Sequence, residues 1–148
     1  MSEIRFYHLQ NQPLEQALPA LLAKAYENGH KILVKAPADK IEVLNEALWT
    51  FRADSFLPHG NAKDGQGEDQ PIWITDNDEN PNGADVLILT HNLESPHMGD
   101  FKLCCEIFDG RIDEDVQAAR SRWSTYKEQG LTLTYWQQTA QGGWDKKA

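Results

Sequence analysis

The chain has 148 residues, the size of one ordinary domain, of which 40% are hydrophobic and 25% are charged. No apolar run approaches the roughly 20 residues needed to cross a bilayer, and residues 1–9 lack a signal-peptide pattern, so a cytoplasmic location is expected. The formal net charge of −9 argues against direct affinity for nucleic acid, because such affinity depends mainly on neutralising phosphates.

The first predicted elements are a strand and a helix. The segment "IRFYHL" (4–9) mixes aromatic and apolar residues as strands do. Residues 13–29 then show the apolar spacing of one helix face. Pro19 lies inside this segment, where proline removes a helix hydrogen bond. The sequence therefore leaves two helix starts open, one at Pro13 and one near Leu18.

A second strand and helix follow at once. The apolar run "HKILVKAP" (30–37) predicts a buried parallel strand. Asp39 is the expected cap of a helix with apolar positions spaced over 41–51. Residues 58–70 contain three glycines and no large apolar group, which predicts a loop. Strands that alternate with helices indicate an α/β sheet.

The second half of the chain predicts four more strands and one more helix. The strands are expected at 71–75, 84–90, 102–108 and 131–138, and the helix at 112–130. Residues 139–148 are expected to form a flexible tail in which Trp144 could dock. The prediction is a single α/β domain over residues 1–138, with a mostly parallel sheet and helices on both faces.

Motifs for catalysis or cofactor binding are missing from the sequence. Gly60, Gly65 and Gly67 lie in a polar loop with no helix after it, and the turn after the first strand has no glycine, which excludes a standard phosphate-binding loop. The histidines lack metal-ligand spacing, and no serine lies in a nucleophile-elbow motif. No catalytic residue, cofactor or metal is therefore expected. The adjacent Cys104 and Cys105 predict buried free thiols.

A first candidate surface lies in "EALWTFRADSFLPHG" (46–60). Trp49 falls near the edge of the apolar stripe of its helix, and Phe56 and Leu57 follow on the exit loop. Together they would form an apolar cluster. Such a cluster either packs beneath a long loop or binds a partner, and the pattern leaves both open.

A second candidate surface lies on the helix at 112–130. Its apolar stripe consists of Ile112, Val116, Ala119, Trp123 and Tyr126. Arg120 and Lys127 border the stripe, three and four residues from Trp123, so all three are surface neighbours. A ring flanked by cations suits a peptide end with an apolar side chain and a carboxylate. The alternative is an ordinary amphipathic helix with basic margins.

These stretches resemble the chi subunits of bacterial DNA polymerase III. The resemblance covers most of the chain and is most specific in 46–60, in "PIWI" (71–74) and in "ARSRWSTYKEQGLTLTYW" (119–136). It implies a non-enzymatic replication accessory subunit, with a Rossmann-like α/β domain that lacks a phosphate loop. The implied partners are the psi subunit of the clamp loader and the acidic C-terminal tail of single-stranded DNA-binding protein. DNA would be contacted only indirectly.

The resemblance also implies roles for both candidate surfaces. In the first, Trp49 and Phe56, with Leu57 beside them, fall on positions that contact psi, or a helicase that competes with psi in some bacteria. Phe56 would then lie on a loop because another subunit completes its packing.

In the second surface, Arg120 occupies the position of the family's tail-binding arginine, and Trp123 occupies the position of that arginine's aromatic partner. Ser124 occupies a position that is often lysine in the family, and Lys127 would compensate for the missing charge. Ile112 is a candidate wall of an apolar pocket.

Two other functions stay open. One is a nucleotide- or metabolite-dependent enzyme on a Rossmann-like sheet, which predicts a pocket at the carboxyl ends of the strands. The other is a helicase accessory, which only the identity of the partner would separate from a clamp-loader subunit.

Overall fold

The computed structural model describes residues 3–50, 59–61, 70–141 and 143–148. Of Trp49 it describes the backbone but not the side chain. The described residues form one α/β sheet structure. Its strands are β1 (Glu3–Leu9), β2 (Ile32–Lys35), β3 (Gly60–Asn61), β4 (Ile72–Thr75), β5 (Val86–Leu89), β6 (Leu103–Asp109), β7 (Thr132–Gln138) and β8 (Trp144–Lys146). Its helices are α1 (Leu14–Glu27), α2 (Ile41–Thr50) and α3 (Asp113–Glu128).

The strands form one sheet in the order β3-β4-β2-β5-β6-β1-β7-β8. All of these pairings are parallel except that of β7 with β8. The predicted mostly parallel α/β architecture is thus confirmed. The connection β1–α1–β2 runs across the sheet toward the β3 edge, whereas β6–α3–β7 runs toward the β8 edge. Because such crossovers are right-handed, their helices lie on opposite faces of the sheet.

Each face of the sheet carries its own hydrophobic core. Tyr7 and Leu9 of β1 face the core that α1 and α2 cover. Ile4 and Phe6 alternate with them and face the core beneath α3. The predicted placement of helices on both faces is therefore confirmed, and β1 supplies apolar side chains to both cores.

The helix α1 begins at Leu14 and continues through Pro19, which resolves the two starts that the sequence left open. Pro13 precedes it in an extended conformation with φ −69°. Pro19 is buried, as are Leu18 and Leu22 on the same face. Burial of this face offsets the single backbone hydrogen bond that Pro19 lacks, since tertiary packing supplies most helix stability in proteins.

The expected capping role of Asp39 is wrong. Asp39 lies inside a 3-10 turn, Ala38–Lys40, which follows Pro37 and leads directly into α2. The chain therefore enters α2 through a tightened turn, as is common at helix ends.

Two edge strands lie where the sequence predicts no regular structure. Gly60 and Asn61, within the predicted loop at 58–70, pair with β4 as β3. Within the predicted tail at 139–148, β8 pairs with β7, and the Trp144 ring meets the Tyr7 ring edge-on at 4.9 Å. Both segments are too short and too polar to show a strand period, so pairing with a neighbour decides their conformation.

None of the helices in the described ranges is long and apolar enough to span a membrane.

Candidate peptide-binding site

The helix α3 is held on the sheet by its apolar stripe. Ala119 and Tyr126 are buried against the β1 and β6 side chains. Trp123 lies between them and is only partly buried. Its ring meets Phe6 edge-on at 5.3 Å and Tyr135 edge-on at 5.8 Å. One side of the indole is thus fixed by aromatic contacts, while the ring keeps a solvent-exposed portion for a further contact.

The two arginines near Trp123 have opposite environments. Arg122 is buried, and its Nε donates to Glu106 Oε1 at 2.5 Å, so an internal carboxylate neutralises its charge. Arg120 is exposed, and no carboxylate of the described residues lies within 4.0 Å of its guanidinium. The exposed charge beside Trp123 is therefore that of Arg120. Lys127 and Ser124 are also exposed on this helix.

Two further polar groups lie next to Trp123, one of them in contact with its ring. His8 Nδ1 and the Tyr135 hydroxyl are hydrogen-bonded at 2.5 Å. Burial lowers the pKa of His8, the Arg120 charge lowers it further, and Asp109 opposes both effects. Burial raises the pKa of Tyr135, which the Arg120 charge opposes. The guanidinium thus acts on both members of the His8–Tyr135 pair.

The sequence analysis did not include His8 and Tyr135 in this site. A partial signal was present, because strand alternation places His8 on the same face as Phe6, below the predicted helix. The missing information was the strand pairing. β1 runs parallel to β7 with Phe6 opposite Tyr135, so the two residues lie on adjacent strands.

Ile112 lies apart from the Arg120 group. It precedes α3, is 47% exposed and lines a cavity of about 260 Å³ at the carboxyl ends of β1 and β6. Leu9, Leu14 and Phe108 also line this cavity. At 1.5 Å per residue, Ile112 is about 12 Å from Arg120 along the helix axis. The structure brings Arg120 and Trp123 together and places Ile112 two turns away.

The first candidate surface is described only at its beginning. Trp49 belongs to the last turn of α2, and its side chain lies outside the described residues, as do Phe56 and Leu57. The helix α2, to which Trp49 belongs, covers the face of the sheet opposite α3.

The nucleophilic and metal-binding side chains form no centre in the described part of the chain. No cluster of histidine, cysteine, aspartate and glutamate there could hold a metal ion. Cys104 and Cys105 are free and buried, as predicted, and they face opposite cores. Burial raises the pKa of Cys105 to about 12, which disfavours the reactive thiolate.

Comparison with known proteins gives a consistent result. The family model described as "DNA polymerase III chi subunit, HolC" matches residues 1–134. The DNA polymerase III subunit chi of Escherichia coli (strain K12) is 28% identical over 144 residues, which cover 90% of this chain and 96% of that protein. The subunit chi of Pseudomonas aeruginosa is also 28% identical, over 141 residues that cover 90% and 94%. A probable subunit chi of Rickettsia prowazekii is 37% identical over 90 residues, which cover 60% of this chain and 54% of that protein.

Proposed function

The chain belongs to the family of DNA polymerase III chi subunits, and from this premise we propose that it connects the clamp loader to single-stranded DNA-binding protein. It is a non-catalytic accessory subunit of replication, so the alternative of a nucleotide- or metabolite-dependent enzyme is set aside. In the proposed arrangement, the psi subunit binds at the end of α2 and the acidic tail of single-stranded DNA-binding protein binds at α3. The protein would act in the cytoplasm and reach DNA only through these partners.

The observation that carries the proposal is an exposed guanidinium beside a partly exposed indole. Arg120 has no carboxylate partner in the described part of the chain, and Trp123 is held from one side by Phe6 and Tyr135. A chain-terminal carboxylate would form a charge-assisted hydrogen bond with Arg120. The terminal phenylalanine ring would pack against the exposed edge of Trp123.

Lys127 extends the site along the helix. It lies about 10 Å from Arg120 along the axis, at 1.5 Å per residue. An extended peptide covers that distance in about three residues. A tail bound by its terminus at Arg120 would thus bring an upstream acidic side chain to Lys127. Ser124 lies between the two cations and adds no charge.

The expected affinity is low. A peptide of this size buries little surface, so a Kd roughly micromolar or weaker is expected. The chain's net charge of −9 repels an acidic tail everywhere except at this local pair of cations. Several tails on one coated template would raise the effective affinity through avidity.

The helix that carries Trp49 lies on the other side of the sheet from α3. Trp49 belongs to the last turn of α2, which covers one core, whereas Arg120 and Trp123 belong to α3, which covers the other. The partners would therefore bind at the same time. Competition between psi and the tail for one molecule would contradict this arrangement.

Titration of a fluorescent acidic peptide ending in phenylalanine tests the tail site. The wild-type chain should bind it, and Arg120→Ala should weaken binding about tenfold or more, as expected for a hydrogen bond to a charged group. Lys24→Ala is the matched control, because Lys24 is an exposed cation on α1, across the sheet. No binding by the wild type would contradict the function, and unchanged binding by Arg120→Ala would contradict the site.

Co-purification tests the second partner. Trp49→Ala and Phe56→Ala should lose psi while they keep wild-type affinity for the tail peptide. If a helicase is recovered through these residues and psi is not, the protein is a helicase accessory. If both variants retain psi, the assignment of this surface is wrong.

A further inference from the structure

The His8 ring is fixed at the end of β1 by packing on three sides. Phe108 contacts it at 5.0 Å between ring centroids, and Tyr135 contacts it at 5.8 Å. On the third side lies Gly110, whose backbone approaches so closely that a Cβ there would be 1.9 Å from His8 Nε2. In this packing, Nδ1 is directed at the Tyr135 hydroxyl.

The Tyr135 hydroxyl can accept one hydrogen bond and donate another. When His8 donates from Nδ1 to the phenol oxygen, the phenol hydrogen is free to point elsewhere. Tyr135 also packs on Trp123, and Arg120 is a neighbour of Trp123 one helical turn away on α3. A phenol donor and a guanidinium thus lie beside the same indole. For an apolar contact alone, phenylalanine would serve at this position as well as tyrosine.

We propose that Arg120, Tyr135 and His8 together form a site for a free α-carboxylate. Arg120 supplies the charge, Tyr135 donates its hydroxyl hydrogen to the carboxylate, and His8 acts as a positioning residue that donates from Nδ1 to the Tyr135 oxygen. The neutral Nδ1–H form of His8 is sufficient for this arrangement, and protonated His8 would donate from the same atom. The inference rests on the proposed function, in which the terminal carboxylate binds Arg120, and adds to that site Tyr135 as a second donor and His8 as the residue that orients it.

A site of this kind discriminates by chemistry as well as by shape. A C-terminal amide has the same size as a carboxylate, but it carries no charge and has only one acceptor oxygen. Donors arranged for a carboxylate would be left partly unpaired, which a site built on hydrogen bonds penalises strongly. An acidic segment in the middle of a chain would lack the terminal group altogether.

The test compares two acidic peptides, one with a free C-terminal carboxylate and one amidated, on the full-length chain. Tyr135→Phe should weaken binding of the free-acid peptide about tenfold, the effect of one hydrogen bond to a charged acceptor, and change binding of the amide less than about twofold. His8→Leu should show the same selective loss, since Tyr135 then loses its orienting donor. Lys24→Ala should bind both peptides as the wild type does.

Equal weakening of both peptides by Tyr135→Phe would show that the ring acts only through packing and would overturn the inference. Unchanged affinity for the free-acid peptide in Tyr135→Phe or in His8→Leu would also overturn the inference, provided that the variant keeps the wild-type unfolding midpoint. If Arg120→Ala abolishes binding of the free acid while Tyr135→Phe has no effect, this inference fails and the proposed function stands. If the wild type binds neither peptide, both fail.

Discussion

The buried ion pair between Arg122 and Glu106 allows a stability prediction with a worked magnitude. The two side chains are 8% and 2% exposed, so solvent screens neither charge. Loss of one partner from such a pair typically costs about 3–5 kcal/mol, because the other charge is left buried and unpaired. At about 2–4 °C per kcal/mol for a domain of this size, Glu106→Leu should lower Tm by roughly 6–20 °C.

The two single variants should respond differently to pH. In Glu106→Leu the guanidinium cannot lose its proton, so its penalty is independent of pH. In Arg122→Met the remaining carboxyl can take up a proton. Burial already raises the pKa of Glu106 in the native protein despite Arg122, and removal of the cation raises that pKa further.

The sign of the pH effect follows from this raised pKa. A carboxyl with a higher pKa when folded binds more protons in the folded state, so folding gains stability as pH falls and loses it as pH rises through the folded pKa. The penalty of Arg122→Met relative to wild type should therefore shrink as pH falls below neutrality, whereas that of Glu106→Leu should not.

Urea unfolding of wild type, both single variants and the double variant Glu106→Leu/Arg122→Met measures the coupling. The double variant should lose much less than the sum of the single losses, since an apolar pair of similar volume often replaces a buried ion pair without cost. Additive losses, or a single-variant loss below about 1 kcal/mol, would refute the reasoning.

Three other predictions concern the same half of the sheet. Tail-peptide affinity should rise as pH is lowered toward 6. Burial and the Arg120 charge both lower the pKa of His8, and a carboxylate bound at Arg120 offsets the second effect, so that binding takes up protons. A flat pH profile in calorimetry would contradict this. Gly110→Ala should cost about 1–3 kcal/mol in urea unfolding, since its Cβ would collide with the His8 ring, and a loss near zero would contradict the packing. Trp144→Ala should destabilise the edge strand β8 by about 1 kcal/mol or more, because the Trp144 ring loses its contact with Tyr7. The loss should be visible as faster amide exchange along β7. Unchanged exchange would show that the Tyr7–Trp144 contact contributes nothing.

The order of strands and helices was largely predictable from local patterns. Apolar runs such as 71–75 and the stripe on α3 are properties of neighbouring residues, and so is the adjacency of Arg120, Trp123 and Lys127 on one helix face. The structure adds only small boundary changes to these elements. The start of α1 was not predictable, because the local penalty of Pro19 is offset by burial that the sequence does not show.

The environment of each charged side chain depended on the tertiary structure. Arg120 and Arg122 border the apolar stripe of α3 on opposite sides, yet one is exposed and the other is buried against Glu106. Their difference follows from how α3 sits on β6. A helix pattern fixes which residues share a face, but the rotation of that face against a sheet is set by the packing of distant side chains.

By itself, the sequence determined the alternating α/β order and the helix that carries the cationic and aromatic residues, because helix and strand periods are local. The tertiary structure alone decided that His8 and Tyr135, 127 residues apart, meet next to Trp123 of α3. That meeting requires the parallel register of β1 on β7, and register depends on which faces are buried against partners far away in the chain.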